Sequence, residues 1–193
     1  MKSTPHQHLK YQICVSGAAE TGHCNKKALD QAKRVGREIA LRGAILLNGA
    51  TTGFPYWAAI GAKDAGGFTV GISPAETEKE HVEKYKLPID YLDAIIYSGY
   101  GYSGRNMLLT RASDAVIIGC GRIGTLNEFT VAFENGKPIG VLLDSGGTTS
   151  MIKDILKASH REKDNPKVVF ESDPKKLLDQ LIDFVKEEKV VKI

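Results

Sequence analysis

Seven short runs rich in Val, Ile and Leu recur along the chain, at 11–18, 44–48, 68–72, 94–97, 115–119, 138–143 and 167–170. Runs such as AILLN and AVIIG are apolar almost throughout, with no polar residue at every second position. A strand of that kind is buried on both faces, which is the environment of a parallel sheet covered by helices on each side. Most of the intervening stretches supply the covers. Residues 26–42 place Ala28, Ala32, Val35 and Ile39 on one helical face and stop at Gly43. Helices are also expected over 55–65, with Pro55 in the first turn, and over 104–112, 124–135 and 151–158. A last helix over 173–188 aligns Leu177, Leu178, Leu181, Ile182 and Val185 as an apolar stripe.

The chain therefore reads as α/β: a Rossmann-like three-layer sandwich with a mainly parallel sheet of about seven strands. At 193 residues there is room for one domain with a full core, expected over 11–193. Residues 1–10 are polar and read as a flexible tail, His6 and His8 included, so no metal is expected there. The segment 74–88 is a polar surface excursion with a single helical turn, and SGGTTS after the sixth strand is a loop.

Charge and cysteine usage narrow the function classes. The 26 basic and 23 acidic residues intermingle and leave a net charge of +3, so a nucleic-acid partner is not expected. The chain shows neither an apolar signal core nor a membrane-length run, so no membrane partner is expected and the cytoplasm fits. The three cysteines lack C-x-x-C spacing, which argues against a disulfide framework and against zinc. Cys14 and Cys120 sit in apolar runs and read as small buried residues.

Ligands on open parallel sheets bind beyond the carboxyl ends of the strands, where the strand order reverses. Three turns in such positions combine glycine with a hydroxyl residue: Ser16-Gly17, then Gly49-Ala50-Thr51-Thr52-Gly53, then 119–125, GCGRIGT. Glycine allows close backbone approach, and free amides at a following helix start attract an anion. One such turn is ordinarily just a turn; three together point to a phosphate site. Ser16, Gly17, Gly49, Thr51, Thr52, Gly53, Gly121, Arg122, Gly124 and Thr125 are its candidate ligand-binding residues. The dinucleotide fingerprint is absent after the first strand, Asn48 replaces the acid expected after the second, and no P-loop lysine follows. Glu128, in the first turn of the next helix, and Arg105, in GYSGRN, are the candidate catalytic pair. Trp57 and Tyr56 are expected to pack rather than stack on a base, and Asp114 to serve as a turn or cap residue.

GATTG, GRN and GRIGTLNE, in this order, resemble the LOG superfamily over about 11–143. That superfamily includes lysine decarboxylase-like proteins, cytokinin riboside monophosphate phosphoribohydrolases, molybdenum cofactor carriers and relatives of the Rossmann domain of DNA-processing protein A. The hydrolases' P-G-G-x-G-T-x-x-E motif is matched here from Cys120 to Glu128, with cysteine in place of proline and Arg122 in place of the second glycine. The resemblance implies hydrolysis of the N-glycosidic bond of a nucleoside 5'-monophosphate, with Arg105 and Glu128 catalytic, no cofactor or metal, and a homodimer or higher homo-oligomer. The alternative it implies is a non-catalytic carrier or sensor of a phosphorylated ligand, which the side chain at Arg122 favours. A decarboxylase is set aside, because no lysine sits in a context that marks a pyridoxal phosphate anchor.

Overall fold

The computed structural model describes residues 10–188. The expected N-terminal tail, with His6 and His8, lies outside the described residues but for Lys10. Seven strands form one sheet: β1 (Gln12–Ser16), β2 (Ile45–Asn48), β3 (Phe68–Ser73), β4 (Ala94–Tyr97), β5 (Ala115–Ile118), β6 (Ile139–Leu142) and β7 (Val168–Glu171). Their order is β4-β3-β2-β1-β5-β6-β7, and every neighbouring pair is parallel. The helices are α1 (Ala28–Leu41), α2 (Phe54–Asp64), α3 (Gly101–Ala112), α4 (Ile123–Glu134), α5 (Ile152–Ala158) and α6 (Pro174–Glu188).

The two-residue period of β5 sorts the core into two layers. Ala115 and Ile117 join the cluster built with Val35 and Ile39 of α1, Ala58 of α2 and Leu178 and Leu181 of α6. Val116 and Ile118 face the other way, onto Leu109 of α3, Phe129 of α4 and Ile152 of α5. All four of these β5 residues are fully buried, which is why the run carries no polar residue.

The chain lays β1 to β4 outward in one direction, and α3 then returns to set β5 on the free side of β1. The order thus reverses between β1 and β5. Their carboxyl ends lie side by side, with Ser16 in register with Ile118, and Ala18 N donates to Cys120 O at 2.7 Å.

Several expectations need correction. The SGGTTS loop contains a turn of 3-10 helix over Thr148–Met151. The 74–88 excursion does hold the one helical turn expected of it, π-helical over Glu80–Lys84 and pinned from inside by His81, whose ring nitrogens meet Ser73 Oγ at 2.8 Å and Pro88 O at 2.9 Å. Cys24 and Cys120 form a disulfide, against the expectation of none. The two are 96 residues apart, and only the adjacency of β1 and β5 brings their following loops together. Cys120 lies beyond the end of β5, not within the strand. Cys14 is free and buried as expected, and burial pushes its thiol well above the usual value. No helix among the described residues is long and apolar enough to cross a membrane.

Candidate functional site

The turns after β1, β2 and β5 converge with α3 and α4 on one cleft of about 180 Å³ at the reversal of strand order. Ser16, Gly17, Gly49, Thr51, Arg105, Arg122, Gly124, Thr125 and Glu128 line it. Glu128 is only 4% exposed. Because α4 begins at Ile123, Glu128 falls in the second turn rather than the first, on the same buried face as Thr125 and Phe129. Ser16 Oγ donates to Glu128 Oε2, and Arg105 Nη1 donates to Oε1 at 3.4 Å. Burial pushes the carboxyl above the usual carboxylate range, opposed first by the Arg105 charge and then by the Ser16 hydrogen bond.

Arg105 reaches the cleft from the second turn of α3 and is itself 7% exposed. Its guanidinium carbon stands 5.9 Å from the Tyr102 ring centre. A Cβ on Gly49 would fall 1.8 Å from Arg105 Nη1, so that glycine makes room for the arginine. Arg105 Nε is buried and has no hydrogen-bond partner among the described residues. A buried donor left unmatched is costly, and an acceptor entering the cleft would relieve it.

The remaining glycines separate into two kinds. A Cβ on Gly17 would come within 2.7 Å of the Phe54 side chain, and one on Gly119 within 2.2 Å of its ring. These two positions clasp a fully buried phenylalanine. Gly53 has φ +71°, and its Cβ would fall 2.2 Å from Ala18 O. Gly121 packs against the Thr125 side chain, and its carbonyl accepts from Thr148 N at 3.0 Å. Gly124 differs: its Cβ would meet nothing within 4 Å, and it faces the cleft from the first turn of α4. That helix has no side-chain cap. Arg122 at its N-cap is extended, and the first-turn amides of Ile123, Gly124 and Thr125 have no acceptor within the helix. The Arg122 guanidinium, more than half exposed, pairs with Glu20, which does not line the cleft.

Three of the sequence candidates do not line the cleft. Gly53 and Gly121 are bound up in backbone packing, as above, and Thr52 is exposed, with Oγ1 donating to Ala19 O at 3.3 Å. Tyr56 donates to Asp90 Oδ2 at 2.6 Å, Trp57 packs against the core, and Asp114 accepts from Gln12 N at 2.8 Å. Val15, Ala19, Pro55, Tyr102 and Asn106 also line the cleft and were not anticipated. Tyr102 and Asn106 carried a usable signal, since they stand three residues before and one after Arg105 in GYSGRN, on one helical face. The Asn106 amide, in one orientation, donates to Asn127 Oδ1 at 3.0 Å; turned over, its nitrogen lies 3.1 Å from Glu128 Oε1.

The cleft thus combines a buried carboxylate, held by a hydroxyl and a guanidinium, with open helix-start amides. The model of the SLOG cluster4 family matches residues 10–178. The chain belongs to this SLOG family. An uncharacterized protein of Archaeoglobus fulgidus is 36% identical over 131 residues, which is 68% of this chain and 79% of that one. The molybdenum cofactor binding protein from Rippkaea orientalis is 30% identical with a TM-score of 0.69, over 93% of the SLOG chain and 98% of its own. The molybdenum cofactor carrier protein of Chlamydomonas reinhardtii is 27% identical with a TM-score of 0.70, over 91% and 99%. DNA processing protein A of Streptococcus pneumoniae shares the fold, with a TM-score of 0.62 at 16% identity over 88% and 61%. The all-parallel sheet of this SLOG chain is thus that of a known architecture.

Proposed function

We propose that the cleft binds a nucleoside 5'-monophosphate and hydrolyses its N-glycosidic bond to free base and ribose 5-phosphate. The observation that carries this reading is the burial of the Glu128 carboxyl in a cleft otherwise furnished for an anion. A carboxylate there repels a ligand that is merely stored. Breaking an N-glycosidic bond instead builds positive charge on the ribose, which a carboxylate at that place stabilises. In this reading the first-turn amides of Gly124 and Thr125 and the Thr125 hydroxyl take the phosphate, with Arg122 at the rim. Arg105 holds Glu128 in place and offers its unmatched Nε to the substrate. The burial that raises the Glu128 pKa makes its carboxylate the stronger base toward water. Ser16 fixes the other carboxylate oxygen.

A homodimer goes with this reading. Tyr102, which lines the cleft, and Tyr100, Met107 and Leu108 of the α3 region, with Ile96 of the edge strand β4, expose apolar side chains. The cytoplasm, where such substrates are made, would be its compartment. The likeness to the Rippkaea orientalis protein favours a second reading, a carrier of a phosphorylated pterin cofactor. The experiment is to incubate the protein with a panel of nucleoside monophosphates and quantify free base and ribose 5-phosphate, with Glu128→Gln alongside. Release that the substitution abolishes is the expected result. No release from any nucleotide, with phosphorylated ligands still raising the melting temperature, would replace the hydrolase with the carrier.

A further inference from the structure

Beside the cleft, and lining no part of it, His23, Cys24 and Cys120 bring three potential metal-ligand atoms within 4.8 Å of one another. The disulfide is one state of this cluster. The backbone around it is held by other bonds. Cys24 forms a β-bridge with Gly146, and Gly121, next to Cys120, forms one with Gly147. Asn25 donates from its backbone to Ser145 O at 3.1 Å and from its side chain to Asp144 O at 2.7 Å. Ala18 N donates to Cys120 O at 2.7 Å. Opening the sulfur–sulfur bond leaves all of these in place, so the two Cα atoms stay near their 5.7 Å separation. Two thiols are then held together under an exposed imidazole whose Nε2 stands 3.7 Å from Cys120 Sγ. Donors around a tetrahedral zinc, at bond lengths of about 2.0–2.3 Å, lie about 3.3–3.8 Å apart.

We propose that His23, Cys24 and Cys120 form a thiol-gated zinc site, empty while the disulfide is closed and filled once it is open. Opening takes two electrons and two protons from a dithiol, which leaves as its own cyclic disulfide. Zinc then binds both sulfurs and displaces the two S–H protons into water. The imidazole supplies the third ligand through Nε2, with its proton on Nδ1, and gives up the 3.3 Å contact with Gly121 O. Two thiolates balance the dication, and the mix of sulfur and nitrogen donors suits a borderline-soft d10 ion rather than calcium or magnesium. Three protein ligands with an exposed rim leave the fourth position to water. The site stands independently of the hydrolase reading, since none of its residues acts there.

The test is a zinc titration against a chromophoric chelator, on the full chain reduced with dithiothreitol and freed of it by anaerobic gel filtration. One equivalent of zinc is expected for the reduced chain and none for the oxidised one. Cys24→Ser and Cys120→Ser should abolish binding. His23→Ala, which alters only an exposed ring and leaves the fold intact, should weaken it at least about tenfold. Cobalt should give a thiolate charge-transfer band with the reduced protein that Cys24→Ser lacks. Replacing His6 and His8 by alanine should change nothing. Failure of the reduced chain to bind zinc overturns the proposal, as does equal binding by the oxidised chain or undiminished affinity in His23→Ala or Cys24→Ser.

Discussion

Gly124→Ala separates a glycine kept for a ligand from a glycine kept for the fold. At position 124 an added methyl would meet nothing within 4 Å, and the backbone is not in the left-handed region. Within a helix, glycine is less stable than alanine by roughly 0.5–1 kcal/mol, through the greater freedom of the unfolded chain. In the first turn the lower figure applies, so the free protein should gain about 0.5 kcal/mol, or about 1–2 °C in Tm for a chain of this size. The same methyl would stand in the cleft, over the amides proposed for phosphate. Affinity for ribose 5-phosphate, measured by calorimetry, should fall at least about tenfold, which is about 1.4 kcal/mol. Gly119→Ala is the control of opposite sign. Its methyl would fall 2.2 Å from the Phe54 ring, and overpacking of that kind costs roughly 1–3 kcal/mol. Thermal melts of the free proteins and one ligand titration each decide the matter. A Gly124→Ala protein that melts below the wild type, or binds ribose 5-phosphate as tightly, refutes the assignment of this glycine to a ligand.

Three further predictions concern the buried groups. The Glu128 carboxyl has a raised pKa in the folded chain against an ordinary value of 4.5, so the folded state holds that proton longer. Stability should therefore decline as pH rises from about 4.5 through the raised value, and Glu128→Gln should remove that decline; parallel Tm-against-pH curves for the two proteins would contradict it. Cys24→Ser opens a loop of 96 residues and should cost about 4.7 kcal/mol under non-reducing conditions, with the difference in Tm vanishing when both proteins are reduced. Cys14, fully buried with its thiol pushed up, should stay unlabelled by iodoacetamide in the native protein and react only on unfolding, as mapped by mass spectrometry.

The fold was legible because its signals are local. Continuous apolar strands, Pro55 at a helix start and Gly43 with φ +66° at a helix end each act within a few residues. The cleft was legible in the same measure: the turns after β1, β2 and β5 follow strands, and nine of their residues and neighbours meet. Strand order is not local, and the cysteine pairing that depends on it was missed. The Cys24–Cys120 bond exists because α3 returns the chain to the free side of β1, a step that no spacing between the two cysteines records. Glycine misled in a different way. Sequence reading assigns Gly17, Gly53 and Gly121 to phosphate, yet Phe54, Ala18 O and the Thr125 side chain account for them without any ligand. A turn built tightly enough to bind an anion needs glycines to support itself, so the count of glycines in a motif overstates the number that face the ligand. Gly124 is the one in this motif that packing leaves unexplained. The same reasoning bears on Arg122. It stands at the N-cap of α4, just before the helix-start amides, and its side chain turns outward to Glu20. The second motif glycine can therefore be lost here while the first-turn amides stay open, so the proposed anion site stays accessible and gains a cation at its rim.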